Sequence, residues 1–181
     1  MANDTTGIDK TLEWEGRNVF TNDPDDPGGG TMSGITTAEA RSYGYTGPMK
    51  DLPLTTATAI YKQNYWDKFN LDAVESQGIA NQILQAAVNQ GVERWQVYIQ
   101  NICNQFLTQV EELVVDGIIG ALTIAAINTI TDSGLTAELS LAIYTRQEDR
   151  YDEVVEKNPV LEKYRKGWHN RSSDFLIVKA A

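Results

Sequence analysis

Apolar residues recur every three or four positions along most of this chain, which is the spacing of amphipathic helices. Thr36-Thr37-Ala38-Glu39 has the capping-box pattern of a helix start, and this short helix should end near Gly44. Pro159 opens a last helix that should end near Trp168. The longer predicted helices are Asp4–Val19, Pro53–Tyr65, Ser76–Gln90, Val92–Leu107, Ala121–Thr131 and Thr136–Lys157. The pattern therefore predicts a mainly α fold.

Two segments interrupt the helical pattern. The stretch from Phe20 to Ile35 is rich in Asp, Pro and Gly and has no period, so we expect an irregular loop with one small hairpin. The stretch from Thr108 to Asp116 is the best candidate boundary. We therefore divide the chain into residues 1–107 and residues 108–181, with the second region packed on the first.

One acidic residue, Glu15, lies on the apolar face of the first helix. At about 100° per residue from Ile8, Leu12 falls at roughly 40°, Val19 at roughly 20° and Glu15 at roughly −20°, whereas Glu13 falls at roughly 140°, on the solvent side. A carboxylate on an apolar face costs free energy, and burial raises the pKa of a carboxyl group, as a general acid requires. The alternative is a structural glutamate paired with an arginine.

The loop after this helix carries further acids on a constrained backbone. Its sequence is Asn22-Asp23-Pro24-Asp25-Asp26-Pro27-Gly28-Gly29-Gly30-Thr31. Pro27 and Gly34 would occupy ligand positions of a calcium-binding EF-hand loop, which excludes that motif. Glycosidases need two acidic roles, and the loop could supply the second carboxylate opposite Glu15. Thr31 could then position the attacking water.

These residues resemble glycoside hydrolase family 108, the N-acetylmuramidases of phages and bacteria. The resemblance rests on Glu15-Gly16, on the loop from Asn22 to Thr31 and on Gly34-Ile35-Thr36, in that order and spacing. It implies a lysozyme-like helical fold and cleavage between N-acetylmuramic acid and N-acetylglucosamine. It implies Glu15 as the general acid, assisted by Asp26 and Thr31. Asp25 is an alternative to Asp26.

The resemblance extends over most of the chain and suggests residues that bind the substrate. Asp23 would bind substrate or hold the loop in shape. Ile60 to Trp66 resembles the family's Tyr-x-x-x-Tyr-Trp helix, and Val88-Asn89-Gln90-Gly91 resembles its Val-Asn-x-Gly turn. Tyr61, Tyr65 and Trp66 could stack on a sugar ring, although aromatic residues at helical spacing also form cores. Asn89 could donate to an acetamide or cap its helix.

Two C-terminal motifs resemble peptidoglycan-binding segments, and two positions depart from the family. Asp116-Gly117-Ile118-Ile119-Gly120 resembles a peptidoglycan-binding repeat, and the motif ending in Asn170-Arg171 resembles the end of the companion C-terminal segment. Arg17 stands where the family usually has glycine, and Gln85 stands where an aspartate is often found. An ion pair between Arg17 and Glu15 would favour the ionised carboxylate and weaken the acid.

Composition limits the remaining chemistry. Cys103 is the single cysteine and His169 the single histidine, so the sequence predicts neither a disulfide nor a zinc site, and we expect no metal or cofactor. The net charge of −10 argues against nucleic acid as a partner and fits anionic wall polymers poorly. The sequence predicts neither a signal peptide nor a membrane span. We expect a monomer that stays in the host cytoplasm until it is released or exported to the cell wall.

The sequence leaves three functions open. The first is a muramidase of the phage endolysin or autolysin type, with peptidoglycan glycan strands as its partner. The second is a non-catalytic peptidoglycan-binding or secretion-related protein on the same fold. The third is a hydrolase of chitin or chitosan, since an acidic surface suits cationic chitosan. The choice between inverting and retaining chemistry depends on the separation of the two carboxyl groups.

Overall fold

The fold is mainly α, as the sequence predicts. The computed structural model of the protein describes residues 1–22, 30–107 and 112–178. Single-turn 3₁₀ and π segments join several of the helices. The α-helices are α1 Asp4–Trp14, α2 Thr37–Tyr43, α3 Leu54–Tyr61, α4 Gln77–Gln90, α5 Val92–Phe106, α6 Ala121–Ile130, α7 Thr136–Lys157 and α8 Arg165–Asp174.

A small antiparallel sheet occupies the predicted loop and hairpin region. Its strands are β1 Phe20–Thr21, β2 Thr31–Met32 and β3 Ile35–Thr36, in the order β1-β2-β3. Met32 lies opposite Ile35, so Ser33 and Gly34 form a two-residue turn between β2 and β3. Both turn residues have positive φ, 53° and 75°, as a tight hairpin with the twist of its strands requires. This turn lies beside the end of α1.

The first helix is shorter than predicted. It begins at the N-cap Asn3, whose side chain accepts a hydrogen bond from Thr6 N, and it ends at Trp14 with Glu15 as its C-cap. Gly16 adopts a left-handed conformation at φ 75°, which ends the helical path. The prediction that Val19 lies on the buried helix face is therefore wrong, and Val19 is 51% exposed.

The last helix is longer than predicted. A 3₁₀ segment, Pro159–Tyr164, precedes α8, which continues past Trp168 to Asp174. The Trp168 ring stacks on Tyr151 of α7 at 5.2 Å between centroids, and Ser172 donates to Glu148 of α7 at 2.6 Å. Contacts with α7 therefore stabilise a helix whose own sequence is too polar to show an apolar stripe.

Helix α4 lies at the centre of the molecule and packs against α1, α5 and α7. Its apolar residues Ile79, Ile83, Ala86 and Ala87 are buried, as the periodicity predicts. The predicted C-terminal region thus packs on the predicted N-terminal one through α7. Within the described ranges, none of the helices is both long and apolar enough to cross a membrane.

Candidate active site

Glu15 lies at the end of α1 with its side chain partly exposed. Its backbone N–H donates to the carbonyl of Thr11 at 3.1 Å, so the residue keeps the helical direction that the sequence assigned to it. The buried residues Ile8 and Leu12 lie on the same side of α1, toward the core. The Glu15 side chain retains 21% exposure, so it borders the core and can still reach a ligand from solvent.

The turn between β2 and β3 approaches the Glu15 carboxyl group closely. A methyl group at Gly34 would lie 2.8 Å from Glu15 Oε2 and 2.5 Å from the Tyr61 hydroxyl. The Tyr61 hydroxyl donates to the carbonyl of Ser33 at 3.1 Å, which ties α3 to this turn. Only glycine therefore fits at position 34, both for its positive φ and for the space between Glu15 and Tyr61.

An arginine from the C-terminal region contacts Glu15. Arg171 Nη2 of α8 lies 2.5 Å from Glu15 Oε1, and the arginine side chain is only 11% exposed. Arg17, the residue that the sequence suggested as a partner, turns away and pairs with Asp9 at 2.7 Å. Glu15 is thus paired with an arginine, as in the alternative interpretation of a structural glutamate. The partner lies 156 positions further along the chain.

Two tyrosines and a second glutamate lie near Glu15. Burial raises the pKa of the Tyr61 phenol, and the negative charge of Glu15 raises it further. Burial also raises the pKa of Tyr65, with a further contribution from Glu39, to which the Tyr65 hydroxyl donates at 3.0 Å. Both phenols therefore stay protonated at neutral pH. Glu39 is held through its other oxygen by Thr36, at 2.9 Å from the backbone N and 2.8 Å from the hydroxyl.

The residues predicted to bind sugar fall into different environments. Trp66 is fully buried and donates from its indole N–H to Asp72 at 2.8 Å, and Tyr61 is only 2% exposed. The stacking role expected for these two rings is therefore wrong, because neither has a free face. Tyr65 is partly buried, and its ring lies 5.6 Å from that of Tyr61.

Asn89 and Thr31 have partners within the protein. The Asn89 side-chain oxygen accepts from the Tyr151 hydroxyl at 2.8 Å, which links α4 to α7. The Thr31 hydroxyl lies 2.5 Å from that of Thr21, across the β1–β2 pair. Asp23 and Asp26 lie outside the described residues, as does Asp25.

Gln85 and Cys103 are core residues. Gln85 is fully buried on α4 and accepts from Gln147 of α7 at 2.9 Å. Cys103 is a buried free thiol, and burial raises its pKa to about 12, so it stays protonated and unreactive at neutral pH. Among the residues that the structure describes, no group of three His, Cys, Asp or Glu side chains could hold a metal ion.

The sequence interpretation missed two residues of this site. Glu39 was assigned only to the capping box, which the structure confirms, while its contact with Tyr65 depends on the packing of α2 against α3. Arg171 was noted only as part of a motif, Gly167-Trp168-His169-Asn170-Arg171, with no partner assigned. That motif could have indicated a buried contact of Arg171, since a tryptophan and an arginine three positions apart share one helix face.

Two family models match this chain. Residues 8–91 match the family model described as Glycosyl hydrolase 108, and residues 80–173 match the one described as Predicted Peptidoglycan domain. The chain belongs to the family described as Predicted Peptidoglycan domain, and its N-terminal part is similar to the glycosyl hydrolase 108 family. Its Glu15 lies within the first match and Arg171 within the second, and the two matches overlap on α4. The C-terminal match indicates peptidoglycan as a partner of this family member.

A solved structure extends the likeness over nearly the whole molecule. SagA of Brucella abortus has 27% sequence identity to this chain and a TM-score of 0.65. The alignment covers 95% of this chain and 90% of SagA. Among curated proteins, none matches the chain in sequence.

Proposed function

We propose that this protein is an N-acetylmuramidase that hydrolyses the β-1,4 bond between N-acetylmuramic acid and N-acetylglucosamine in peptidoglycan. The observation that carries the proposal is Glu15, a partly exposed carboxyl group at a helix end, inside the glycosyl hydrolase 108 match. Glu15 would act as the general acid. It would donate its proton to the glycosidic oxygen as the bond to the sugar breaks.

The second acidic role belongs to the loop after α1. We propose Asp26 for it, where it would activate water or stabilise the developing positive charge on the sugar. Thr31, on strand β2 beside this loop, would help to position the water. Asp23 would bind substrate or hold the loop in shape.

Two described residues are proposed to contact the glycan. Tyr65 presents a partly buried ring near Glu39 and is the remaining candidate for stacking on a sugar. Asn89 accepts from Tyr151, which directs its NH₂ group away from that hydroxyl and toward a potential acceptor such as an acetamide carbonyl. The protein would act on the glycan strands as a monomer.

The test compares the parent with Glu15→Gln on purified peptidoglycan, with new reducing ends identified by mass spectrometry. Glutamine keeps the shape of the side chain but has no acidic proton to give. We expect muramic-acid reducing ends from the parent and a rate about 10²- to 10⁴-fold lower from Glu15→Gln. Glu13→Gln is the matched control, since Glu13 lies on the exposed face of the same helix.

The same experiment decides between the alternatives. The ion pair with Arg171 also fits a glutamate that only stabilises the fold, in a protein that binds peptidoglycan without cleaving it. Wall binding without soluble products from the parent would favour that function. Equal cleavage by the parent and Glu15→Gln would keep the activity and remove Glu15 as its acid. Parallel digests of chitin and chitosan test the third function, and faster cleavage of either polymer would overturn the muramidase specificity.

A further inference from the structure

The ion pair between Glu15 and Arg171 joins the first helix of the chain to the last. We propose that Arg171 is a positioning residue for Glu15, so that the C-terminal region completes the active site rather than serving only as a wall-binding module. This inference rests on the proposed function of Glu15 as a general acid. The physical basis of the inference is that the two carboxyl oxygens of Glu15 have different environments.

The two oxygens of Glu15 face different groups. Oε1 lies 2.5 Å from Arg171 Nη2, while Oε2 lies on the side of Gly34, where a methyl group would approach within 2.8 Å. The contact between Arg171 Nη2 and Oε1 is an ion pair and not an aligned hydrogen bond, and its positive charge disfavours a proton on Oε1. When Glu15 is protonated, the proton therefore resides on Oε2. Arg171 thus selects the oxygen that carries the proton.

The same contact favours the product of the proton transfer. In that step the O–H bond at Oε2 breaks, a new O–H bond forms at the glycosidic oxygen, and the C–O bond to the departing sugar breaks. Glu15 changes from a neutral acid to a carboxylate. A cation at Oε1 stabilises this developing negative charge more strongly than it stabilises the neutral acid, so it lowers the barrier for the protonated form of Glu15. The same cation favours the ionised carboxylate before the reaction, so it also lowers the fraction of molecules that carry the proton.

Helix α8 is fixed where this role requires it. Asp174, one turn after Arg171, accepts from the Trp14 indole at 3.0 Å and, through its backbone carbonyl, from Lys10 at 2.7 Å. Trp14 directly precedes Glu15 in the chain. Trp168, one turn before Arg171, stacks on Tyr151. Arg171 is therefore held between contacts to α1 and to α7.

The charge of Arg171 also reaches both tyrosines beside it. It opposes the increase that burial causes in the pKa of Tyr61 and in that of Tyr151, whose pKa is raised to about 12. Tyr61 belongs to α3 and Tyr151 to α7, so the guanidinium lies at the junction of the two regions. An arginine that is 11% exposed at such a junction is placed for a fixed interaction and not for contact with bulk solvent.

The experiment measures kcat and KM on soluble peptidoglycan fragments for Arg171→Met and Arg171→Lys. We expect Arg171→Met to lower kcat, taken at the pH optimum of each protein, about 10²-fold, within the range for losing one charge-stabilising group, with KM changed less than about 3-fold. Arg171→Lys keeps the positive charge and should retain an intermediate kcat. Arg165→Met is the matched control, because Arg165 also lies in α8 but pairs with Asp152 and Glu162.

Chemical rescue separates positioning from a general loss of structure. Guanidinium chloride at low millimolar concentration, far below denaturing levels, should raise the kcat of Arg171→Ala several-fold and leave that of Glu15→Gln unchanged. If Arg171→Met does not fold, Arg171→Lys and the rescue of Arg171→Ala are the deciding measurements, each made at a temperature where the variant is folded.

Three results would overturn the inference. These are a kcat for Arg171→Met within about 2-fold of the parent or above it, an equal loss for Arg165→Met, or a loss confined to KM. In each case the parent still cleaves peptidoglycan, so the proposed function stands without Arg171. Absence of cleavage by the parent is a different failure, because it removes the proposed function itself.

Discussion

Single residues at the Glu15 site are constrained by close approach. Gly34 separates Glu15 Oε2 from the Tyr61 hydroxyl, and its backbone φ of 75° is one that residues with a side chain rarely adopt. Glu15 itself has its direction set by the last turn of α1 and its Oε1 contact set by Arg171. The proposed chemistry therefore depends on a carboxyl group whose surroundings come from three separate parts of the chain.

Replacing Gly34 with alanine should damage the site beyond its effect on stability. The left-handed backbone costs about 1–2 kcal/mol for a residue with a Cβ, and the methyl group would displace Glu15 or Tyr61. We expect peptidoglycan cleavage by Gly34→Ala to fall at least about 10²-fold, since small misplacements of catalytic groups have effects of this size. The rate is measured on folded protein, with stability measured separately by urea unfolding.

Gly134→Ala is the control for backbone strain. Gly134 has a similar φ of 79°, but a methyl group there would meet open space. This variant should lose a similar amount of stability and keep the activity of the parent. Equal activity loss in the two variants would show that strain alone, and not the contact with Glu15, explains the effect at position 34.

At the scale of elements, α4 and α7 are joined by buried polar pairs. Gln82 donates to the carbonyl of Ser140 at 3.0 Å, and the Ser140 hydroxyl donates back to Gln82 at 2.7 Å. The pairs Gln85–Gln147 and Asn89–Tyr151 follow along the same two helices. Buried polar groups are costly when they lose a partner, so these pairs fix how α7 docks on α4.

The stability losses of the single variants Gln82→Leu and Ser140→Ala should not add up to the loss of the double variant, because the two side chains hydrogen-bond to each other. We expect Gln82→Leu to lower the free energy of unfolding by about 1–3 kcal/mol, because the Ser140 hydroxyl loses its acceptor. The double variant Gln82→Leu/Ser140→Ala should show a coupling energy of about 0.5–3 kcal/mol in urea unfolding. Gln105→Leu, at an exposed position of α5, should change stability by less than about 0.5 kcal/mol. Strict additivity would contradict the pairing.

Helix boundaries show where periodicity is and is not sufficient. The N-terminus of α2 was predictable, because Thr36 and Glu39 form the reciprocal capping box within four residues. The end of α1 was not, because Val19 continued the apolar spacing past Gly16. The end of α8 was not either, because the residues that extend it are polar and their partners, Glu148 and Tyr151, lie on another helix.

For the whole molecule, the two predicted regions share a core, and both contribute residues to the candidate site. Helix α4 belongs to the first region, yet α7 of the second supplies partners for its buried glutamines, and α8 supplies Arg171. The overlap of the two family matches over residues 80–91 falls on the same helix. This arrangement does not fit two modules joined only by a linker.

We therefore expect residues 1–107 expressed alone to unfold without a cooperative transition and to cleave no peptidoglycan. Adding residues 108–181 should restore both properties in part, which circular dichroism during heating and the reducing-end assay would measure. The control is the full chain with a protease site inserted between Thr108 and Gln109, cut after folding. This nicked protein should keep its activity. Parent-like cleavage by residues 1–107 alone would contradict the shared site and also the role of Arg171.

The sequence by itself determined the local structure and the choice of Glu15 as the candidate acid. Apolar spacing gave the helices, turn residues gave the hairpin, and the angular position of Glu15 on α1 marked it as exceptional, because each of these depends on neighbours within a few residues. Only the tertiary structure decided the partners of Glu15. Gly34, Tyr61 and Arg171 approach it from a turn, a third helix and the last helix, and no local pattern encodes a contact that forms only when helices pack.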